Sequence, residues 1–312
     1  MTHEILLIEP MMPLIEDKLD AGYKVHRLYR AEEKSAIEAA FGKIRAVVTG
    51  GGSGLANERI ERLPALGIIA INGVGTDKVD LEFARNRGIH VTTTPGLLSD
   101  DVADIGIALM LDLFRRVTAG DGFVREGRWA KREAFPLGIS PKGKRIGILG
   151  LGQIGKSLAR RAEAFGMQVH YWNRSPVENR NWIAHGSPVE LAQNSDVLAV
   201  CIAANPSTAN IVNADVLAAL GSKAYLVNVS RGSVVDEEAL LNALENGAIA
   251  GAGLDVFVDE PTIRNDFLSA PNTVLMPHQG SATVETRIAM GELVLENLHA
   301  FFAGQTPPST VN

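Results

Sequence analysis

The sequence predicts an α/β fold of two doubly wound, parallel-sheet domains of the Rossmann-like or flavodoxin-like kind, with an interdomain active-site cleft. Two observations carry this prediction. Short apolar strand patterns alternate with helical patterns along nearly the whole chain, as in parallel sheets that are covered on both faces. The length of 312 residues also favours about two domains.

The first domain is predicted to start at the N-terminus and to run to about residue 98. Within it, strand patterns and helical patterns take turns without interruption, which indicates a parallel sheet. The predicted strands are Ile5–Ile8, Lys24–Leu28, Ala46–Thr49, Ile68–Ile71 and His90–Thr92, and the helical segments are Leu14–Asp20, Lys34–Phe41, Asn57–Leu63 and Leu81–Arg87.

Two glycine-bearing turns follow strands of this domain, at residues 50–54 and 72–77. Ligands of such sheets bind beyond the carboxyl ends of the strands. Glycine allows close approach of the backbone, and consecutive N–H groups can form a nest for an anion. Each turn alone is equally compatible with a plain connection between a strand and a helix.

A helix is predicted from Ser99 through Val117, because Ser99-Asp100-Asp101 provide an N-cap and acids in the first turn. It would carry the chain into the second domain. Residues 120–142 show little periodicity, and their aromatic residues include Trp129. They are therefore predicted to form a long irregular arm with exposed aromatic side chains, at an interface or at the border of the active site.

The second domain opens with the most informative motif. A strand at Arg145–Leu149 runs into Gly150-x-Gly152-x-x-Gly155, a helical pattern follows, and a second strand covers Gln168–Trp172. In such a unit the first glycine allows a tight turn, the second lets the backbone approach a pyrophosphate, and the third lets the helix pack on the strand. The helix N-terminus then attracts the phosphates. The motif predicts a dinucleotide site; the alternative is a tight turn that binds nothing.

The residues after Gln168–Trp172 predict which dinucleotide is bound. NAD-binding proteins usually have an acidic residue here, which bonds the ribose 2′-hydroxyl. This chain has Asn173, Arg174 and Ser175 instead. A guanidinium can hold a 2′-phosphate with two charge-assisted bonds, so NADPH is expected to be preferred, with NADH possible. The alternative is an ordinary solvated arginine at a strand end.

The remaining sequence continues the alternation of strands and helices. Val284–Phe302 is a long helical pattern that is expected to return to the first domain. We therefore expect a substrate-binding domain of residues 1–98 plus 285–312 and an NAD(P)-binding domain of residues 99–284. The other predicted strands are Val197–Ile202, Tyr225–Val229, Ala252–Val256 and Val274–Met276, and the other helices are Pro188–Gln193, Ala214–Leu220 and Glu237–Asn246.

Arg231, Glu260 and His278 each follow a late strand of the second domain. Reduction of a 2-keto acid needs a cation that holds the carboxylate and polarises the carbonyl, which an arginine does. It also needs a proton donor near neutral pH, such as histidine, and a carboxylate that fixes the histidine tautomer and favours the imidazolium. Each residue taken alone also has an ordinary structural interpretation. Arg231 could be a surface ion-pair partner, Glu260 an acid at the start of a helix, and His278 a capped histidine in a turn.

Composition and charge exclude several other classes of function. The formal net charge of −6 leaves no basic footprint for nucleic acid, and no apolar run approaches the ~20 residues that span a bilayer. The N-terminus lacks the features of a signal peptide. The single Cys201 cannot form an internal disulfide and is expected to be an inert core thiol. No metal site is expected, and cytoplasmic residence fits these features.

Six segments of the sequence together form a specific pattern: residues 72–80, 94–96, 150–155, 228–232, 253–261 and 277–281. On these segments the chain resembles the D-isomer-specific 2-hydroxyacid dehydrogenase family over almost its whole length. Within that family it is most similar to NADPH-preferring glyoxylate/hydroxypyruvate reductases, with 2-ketogluconate and hydroxyphenylpyruvate reductases as close relatives.

The resemblance implies NADPH-dependent reduction of a small 2-keto acid to the D-2-hydroxy acid, with Arg231, Glu260 and His278 as the catalytic residues. It also implies a homodimer formed through the cofactor domain. The substrate would contact Gly51, Val74, Gly75, Arg231 and Ser281, with the N–H groups of Val74 and Gly75 on its carboxylate. The cofactor would contact Gly150, Leu151, Gly152, Gln153, Ile154, Gly155, Asn173, Arg174, Ser175, Ala203, Asn205, Thr208, Val229, Ser230, Arg231, Asp255, His278 and Gly280, with Asp255 at its nicotinamide end.

The chain departs from the family pattern at three places. Asn173 stands where NAD-using members have an acid, which again favours NADPH. Residues 203–206 read Ala-Ala-Asn-Pro where many members read Pro-Leu-Thr-Pro, and Asp104 stands where many have Glu. A function of another class, a non-catalytic NAD(P)-sensing corepressor, disagrees with the intact Arg231, Glu260 and His278. The sequence does not choose between reduction and oxidation as the physiological direction.

Overall fold

The computed structural model describes residues 2–30, 32, 34–175, 177 and 181–312. The chain divides into two compact units. Unit 1 comprises residues 1–98 and 282–312, and unit 2 comprises residues 99–281. The chain therefore leaves unit 1 at Leu98 and re-enters it at Ala282, so that unit 2 is one continuous segment.

Unit 1 is built on a five-stranded sheet with the order β2-β1-β3-β4-β5, in which all pairs are parallel. The side chains alternate between the two faces. Leu6, Val47 and Ile69 enter one buried cluster, whereas Ile5, Val48 and Ile68 enter another. The strands are β1 Glu4–Leu7, β2 Lys24–Arg27, β3 Ile44–Gly50, β4 Ile68–Asn72 and β5 His90–Thr92.

Helices cover both faces of this sheet. The long C-terminal helix contributes Val294, Leu295 and Leu298 to the same cluster as Ile5 and Ile15. The hydroxyl of Thr283 caps this helix by accepting a hydrogen bond from the N–H of Thr286 at 3.2 Å. The helices of unit 1 are α1 Pro13–Gly22, α2 Lys34–Ala40, α3 Asn57–Glu61, α4 Leu81–Asn86 and α12 Val284–Phe302.

Unit 2 is built on a seven-stranded parallel sheet with the order β12-β11-β10-β9-β6-β7-β8. The chain order reverses between β6 and β9, where a doubly wound sheet binds its ligand. The strands are β6 Arg145–Leu149, β7 Gln168–Trp172, β8 Ile183–Ala184, β9 Val197–Val200, β10 Tyr225–Asn228, β11 Gly251–Leu254 and β12 Thr273–Leu275.

Some helices of unit 2 begin at a residue whose side chain caps the first turn. The Asp236 carboxylate accepts a hydrogen bond from the N–H of Ala239, and the Ser187 hydroxyl accepts one from the N–H of Glu190. The helices are α5 Ser99–Arg115, α6 Val117–Arg125, α7 Gln153–Ala164, α8 Pro188–Gln193, α9 Ala214–Leu220, α10 Glu237–Glu245 and α11 Asp266–Ser269.

The predicted fold class of two parallel-sheet α/β domains is confirmed. One local prediction is wrong, because the first part of the expected irregular arm is helical. The helix α5 ends at Arg115, Arg116 adopts a left-handed conformation with φ 55°, and α6 then runs to Arg125. Phe123 on α6 is buried rather than exposed and packs against the ring of Phe135 at 5.1 Å. The short elements β8 and α11 were not predicted.

The described residues contain no helix that is long and apolar enough to cross a membrane. In the same part of the chain, no three or more His, Cys, Asp or Glu side chains are grouped so that they could hold a metal ion.

Candidate active site

The glycine turn of unit 2 joins β6 to α7 and has the geometry that a dinucleotide site needs. Gly150 has φ 99°, a left-handed conformation that suits glycine, and a Cβ there would lie 2.6 Å from the backbone of Ile202. A Cβ on Gly155 would lie 2.2 Å from the Gly150 carbonyl oxygen. A Cβ on Gly152 would meet nothing within 4 Å, so the backbone is open there to an approaching ligand. Gln153 and Ile154 then form the first turn of α7.

The end of β7 lies beside this turn. The Asn173 side-chain oxygen accepts a hydrogen bond from the Leu151 N–H at 3.3 Å, and its amide donates one to the Ser175 carbonyl at 2.9 Å. Arg174 is exposed, and it pairs with no carboxylate in the part of the chain that the structure describes. Its guanidinium is therefore available for an anion at the end of this strand.

Arg231 lies just after β10, in a turn held by the side chain of Asn228, a residue to which the sequence analysis assigned no role in the site. The buried Asn228 accepts a hydrogen bond from the Ser230 N–H at 3.0 Å and donates one to the Arg231 carbonyl at 2.9 Å. The Ser230 hydroxyl donates to the carbonyl of Ile202. A polar residue at the end of an apolar strand, next to Ser-Arg-Gly, was the available signal for Asn228.

His278 and Glu260 are in direct contact. The His278 Nδ1 and a Glu260 carboxylate oxygen are 2.6 Å apart, and the other Glu260 oxygen accepts a hydrogen bond from the Phe257 N–H at 2.9 Å. An ionised carboxylate only accepts, so this contact places the proton on Nδ1 and leaves Nε2 for a substrate. Partial burial raises the pKa of Glu260, but the hydrogen bonds from His278 and Phe257 and the nearby charge of Arg231 outweigh it and lower the pKa.

The turn that carries His278 is anchored on the buried Asp255. Its carboxylate accepts hydrogen bonds from the N–H groups of Gln279 at 2.7 Å and Gly280 at 2.8 Å, and its carbonyl accepts one from the His278 N–H. His278 has φ 54°, which is uncommon outside glycine and is found at functional sites. Burial raises the pKa of Asp255, although the two backbone hydrogen bonds oppose it.

The Arg231 turn and the segment that leads to Glu260 pack directly on each other. A Cβ on Gly232 would lie 2.0 Å from the carbonyl carbon of Phe257, so only glycine fits between the two backbones. Arg231, Glu260 and His278 thus lie near one another within unit 2.

The expected cofactor residues after β9 form a small hydrogen-bonded loop. The Thr208 hydroxyl accepts from the Asn205 N–H and donates to the Ala203 carbonyl, both at 2.9 Å. Thr208 is buried, and the exposed Asn205 also holds the loop, because its side-chain oxygen accepts a hydrogen bond from the Ser207 N–H at 2.9 Å and its amide donates one to the Ala203 carbonyl at 3.2 Å. Val229 is a buried residue between Asn228 and Ser230.

The residues expected to contact the substrate belong to unit 1, apart from Arg231 and Ser281. Gly51 follows β3, and Val74 and Gly75 follow β4, its neighbour in the sheet. A Cβ on Gly73 would lie 3.3 Å from the Gly51 nitrogen, so the two turns adjoin. Val74 is exposed, and Ser281 directly follows Gly280 as the last residue of unit 2.

An apolar cavity of about 310 Å³ lies beside His278 and Glu260 within unit 2. Most of its wall is hydrophobic, which suits an apolar group next to the histidine. Its other lining residues are Phe257, Pro261, Ile263, Leu268, Leu275, Met276 and Pro277.

Comparison with known proteins gives the family. A model of the D-isomer specific 2-hydroxyacid dehydrogenase NAD binding domain matches residues 107–280, more than half of the chain. The chain belongs to this family. It is therefore an oxidoreductase, and unit 2 contains its NAD-binding domain.

Individual relatives are similar to this chain along almost its whole length. The chain is 45% identical over 303 residues to a 2-ketogluconate reductase of Gluconobacter oxydans, with 97% of this chain and 96% of the relative covered. A dehydrogenase structure from Rhizobium meliloti shares 62% identity at a TM-score of 0.80, covering 98% and 100% of the two chains. An NADPH-dependent glyoxylate/hydroxypyruvate reductase of Sinorhizobium meliloti, solved with NADP and malonate, shares 41% identity at a TM-score of 0.93, covering 100% and 97%.

Proposed function

We propose that this enzyme reduces a small 2-keto acid of the glyoxylate or hydroxypyruvate class to the D-2-hydroxy acid with NADPH, and that His278 is the proton donor. The observation that carries the proposal is the contact between His278 and Glu260, beside Arg231, at the strand ends of the NAD-binding domain. A histidine whose Nδ1 is held by a carboxylate presents Nε2 as an acid to a reacting oxygen.

The residues at the glycine turn fit NADPH. The open backbone at Gly152 and the N-terminus of α7 suit a pyrophosphate, and the exposed Arg174 suits a 2′-phosphate where an acid would repel it. The Sinorhizobium reductase, solved with NADP, supports the same choice. Bound NADPH would supply the hydride for C2 of the keto acid.

Three groups of the chain act on the substrate in this proposal. The N–H groups of Val74 and Gly75 hold its carboxylate, and the Arg231 guanidinium binds the carboxylate and polarises the carbonyl. The His278 Nε2 gives its proton to the carbonyl oxygen as negative charge develops there. Glu260 stabilises the imidazolium before the transfer and holds the ring in the required orientation.

Two other substrates of the same reaction class are second candidates. Identity to the Gluconobacter enzyme along almost the whole chain favours 2-ketogluconate. The apolar cavity beside His278 favours an aromatic 2-keto acid such as hydroxyphenylpyruvate.

We also propose that the enzyme is a homodimer in solution. Support comes from the apolar side chains that remain exposed on and after α6, among them Trp129 at 70% and Leu137 at 95% exposure. Light scattering at micromolar concentration is expected to give twice the monomer mass, and a monomer mass would contradict the proposal.

The test of function is the loss of NADPH absorbance with glyoxylate, hydroxypyruvate, 2-ketogluconate and hydroxyphenylpyruvate, followed by chiral analysis of the product. We expect the highest kcat/KM with one of the first two and the D-product in every case. The absence of NADPH-dependent reduction of all four would refute the proposal. Better turnover with NADH would refute the cofactor assignment alone.

A further inference from the structure

Glu9 lies at the carboxyl edge of the unit 1 sheet, one residue beyond the pairing of β1 with β3. The last backbone hydrogen bond of that pairing joins the Ile8 N–H to the Val48 carbonyl at 2.9 Å. The Glu9 carboxylate then lies over Gly50, so closely that a Cβ on Gly50 would be 1.9 Å from its Oε1. Gly50 therefore leaves the space that this carboxylate occupies, at the start of the turn that contains Gly51.

No cation neutralises this half-buried carboxylate within the described residues. The Ser53 hydroxyl donates a hydrogen bond to Oε2, whereas Oε1 has no hydrogen-bond donor in the same part of the chain. Other acids of this sheet region are paired, because Glu16 binds Arg27 at 2.9 Å and Glu4 binds His26 at 2.8 Å. The Glu9 Oε1 therefore remains able to accept a hydrogen bond from a ligand at the start of this turn.

Two further polar groups at this edge have spare hydrogen-bonding capacity. The Asn72 side-chain oxygen and the Thr94 hydroxyl are buried and find no partner among the described atoms. Both adjoin the turn that contains Val74 and Gly75, since Asn72 precedes Gly73 and the Thr94 N–H donates to the Gly73 carbonyl at 2.8 Å. Neutral hydroxyl and amide groups thus surround the same turns as Glu9.

We propose that Glu9 is a specificity-determining residue that selects 2-keto acids with a hydroxylated substituent. Its free carboxylate oxygen accepts hydrogen bonds from substituent hydroxyls, with Ser53 holding the other oxygen. The same charge repels a substituent that ends in a second carboxylate. This inference rests on the proposed function, because it requires the keto-acid carboxylate to bind at Val74 and Gly75.

The selectivity expected of Glu9 follows from the free-energy cost of leaving its carboxylate without a hydrogen-bond donor when the substrate lacks a hydroxyl. A site built to hydrogen-bond a hydroxyl discriminates strongly against the analogue that lacks it, because its polar group is then left unpaired. Like charges brought together at a binding site are penalised in the same way. A substituent with hydroxyls is therefore favoured over both an alkyl chain and a terminal carboxylate.

The experiment compares substrates of equal chain length with the full-length enzyme and saturating NADPH. The first pair is 2-ketogluconate and 2-ketohexanoate, and the second is 2-ketoglutarate and 2-ketopentanoate. The variants are Glu9→Leu, which removes both charge and acceptor, and Glu9→Gln, which removes the charge and keeps a hydrogen-bonding group. Glu61→Gln, at an exposed acid of α3 in the same unit, is the matched control.

The wild type is expected to favour 2-ketogluconate over 2-ketohexanoate by at least about tenfold in kcat/KM. Glu9→Leu should remove most of that preference. Glu9→Gln should keep part of it, but should raise the ratio of 2-ketoglutarate to 2-ketopentanoate by about tenfold. Glu61→Gln should change neither ratio. Circular dichroism and NADPH affinity establish whether each variant is folded. If Glu9→Leu does not fold, the nearly isosteric Glu9→Gln alone tests the role of Glu9.

The experiment distinguishes a failure of the Glu9 inference from a failure of the proposed function. A wild type that reduces glyoxylate, with both ratios unchanged in the Glu9 variants, overturns the role of Glu9 and leaves the proposed function standing. A wild type that reduces no 2-keto acid with NADPH overturns the proposed function and this inference with it.

Discussion

Replacing Glu260 by Gln tests the proposed proton donor most directly. In the wild type, His278 Nδ1 and a Glu260 carboxylate oxygen are 2.6 Å apart. The substitution keeps a group that can accept this hydrogen bond but removes the negative charge. The imidazolium is then less stable, whereas the neutral ring is little affected. In the proposed mechanism the reduction requires the imidazolium, so the rate in the variant should begin to fall at a lower pH than in the wild type.

The size of the shift follows from the geometry. A hydrogen bond to a charged group contributes about 1.5–3 kcal/mol. The side chains of His278 and Glu260 are 36% and 29% exposed, so solvent screening reduces the difference to about 1–1.5 kcal/mol. At about 1.36 kcal/mol for each unit, the pH of half-maximal reduction should fall by about one unit. Because hydrogen bonds lower the pKa of Glu260, its carboxylate is already ionised throughout the neutral range of this assay.

The assay is a pH–rate profile with glyoxylate and saturating NADPH, for the wild type and the variant. Glu238→Gln is the control, because Glu238 is an exposed acid of α10 and its carboxylate has no hydrogen bond to His278 or Glu260 within the described residues. It should leave the profile in place. An unchanged or upward-shifted profile in Glu260→Gln would refute the assignment of Glu260 as the charge that supports His278.

Four further results are expected. His278→Gln should lower kcat by about 10²–10⁴-fold while NADPH affinity, measured by fluorescence titration, stays near normal; a wild-type rate would exclude His278 as the acid. Arg231→Lys should raise KM and also lower kcat in steady-state assays, since an ammonium lacks the guanidinium fork, and unchanged constants would contradict its role. Arg174→Asp should weaken NADPH binding by about 1.5–3 kcal/mol more than NADH binding; an unchanged ratio of the two KM values would remove Arg174 from the phosphate site. Burial raises the pKa of the Cys201 thiol to about 12, so iodoacetamide at pH 8 should label the unfolded but not the native protein by intact mass, and rapid native labelling would contradict this.

Most of the fold could be predicted because the sequence patterns that indicate strands and helices are local. The same holds for Arg231, Glu260 and His278 as candidate site residues. Apolar strands with helical patterns between them dictate a parallel sheet, and parallel strands end at one edge. Arg231, Glu260 and His278 each come soon after a strand, so their meeting follows from topology alone. Their actual separation, such as the 2.6 Å contact of His278 with Glu260, needed the structure.

Features that depend on contacts between distant parts of the chain were not predicted. The helix α6 contains Gly120 and Gly122, which disfavour helix in isolation. The helix is stabilised by residues beyond its end. Phe135 packs against Phe123, and the Arg128 guanidinium lies 4.7 Å from the centre of the Phe123 ring. Glu9 escaped notice for the same reason, since its relation to Gly50 is not visible in either segment alone.

Asp255 and Glu260 show how environment assigns different roles to two carboxylates on one loop. Burial raises the pKa of Asp255, and its oxygens are committed to the N–H groups of Gln279 and Gly280. Hydrogen bonds and nearby positive charge lower the pKa of Glu260, and one of its oxygens faces the imidazole. In the proposed mechanism a charge must remain ionised beside His278, which suits Glu260, whereas Asp255 fixes the backbone of His278 in its left-handed conformation.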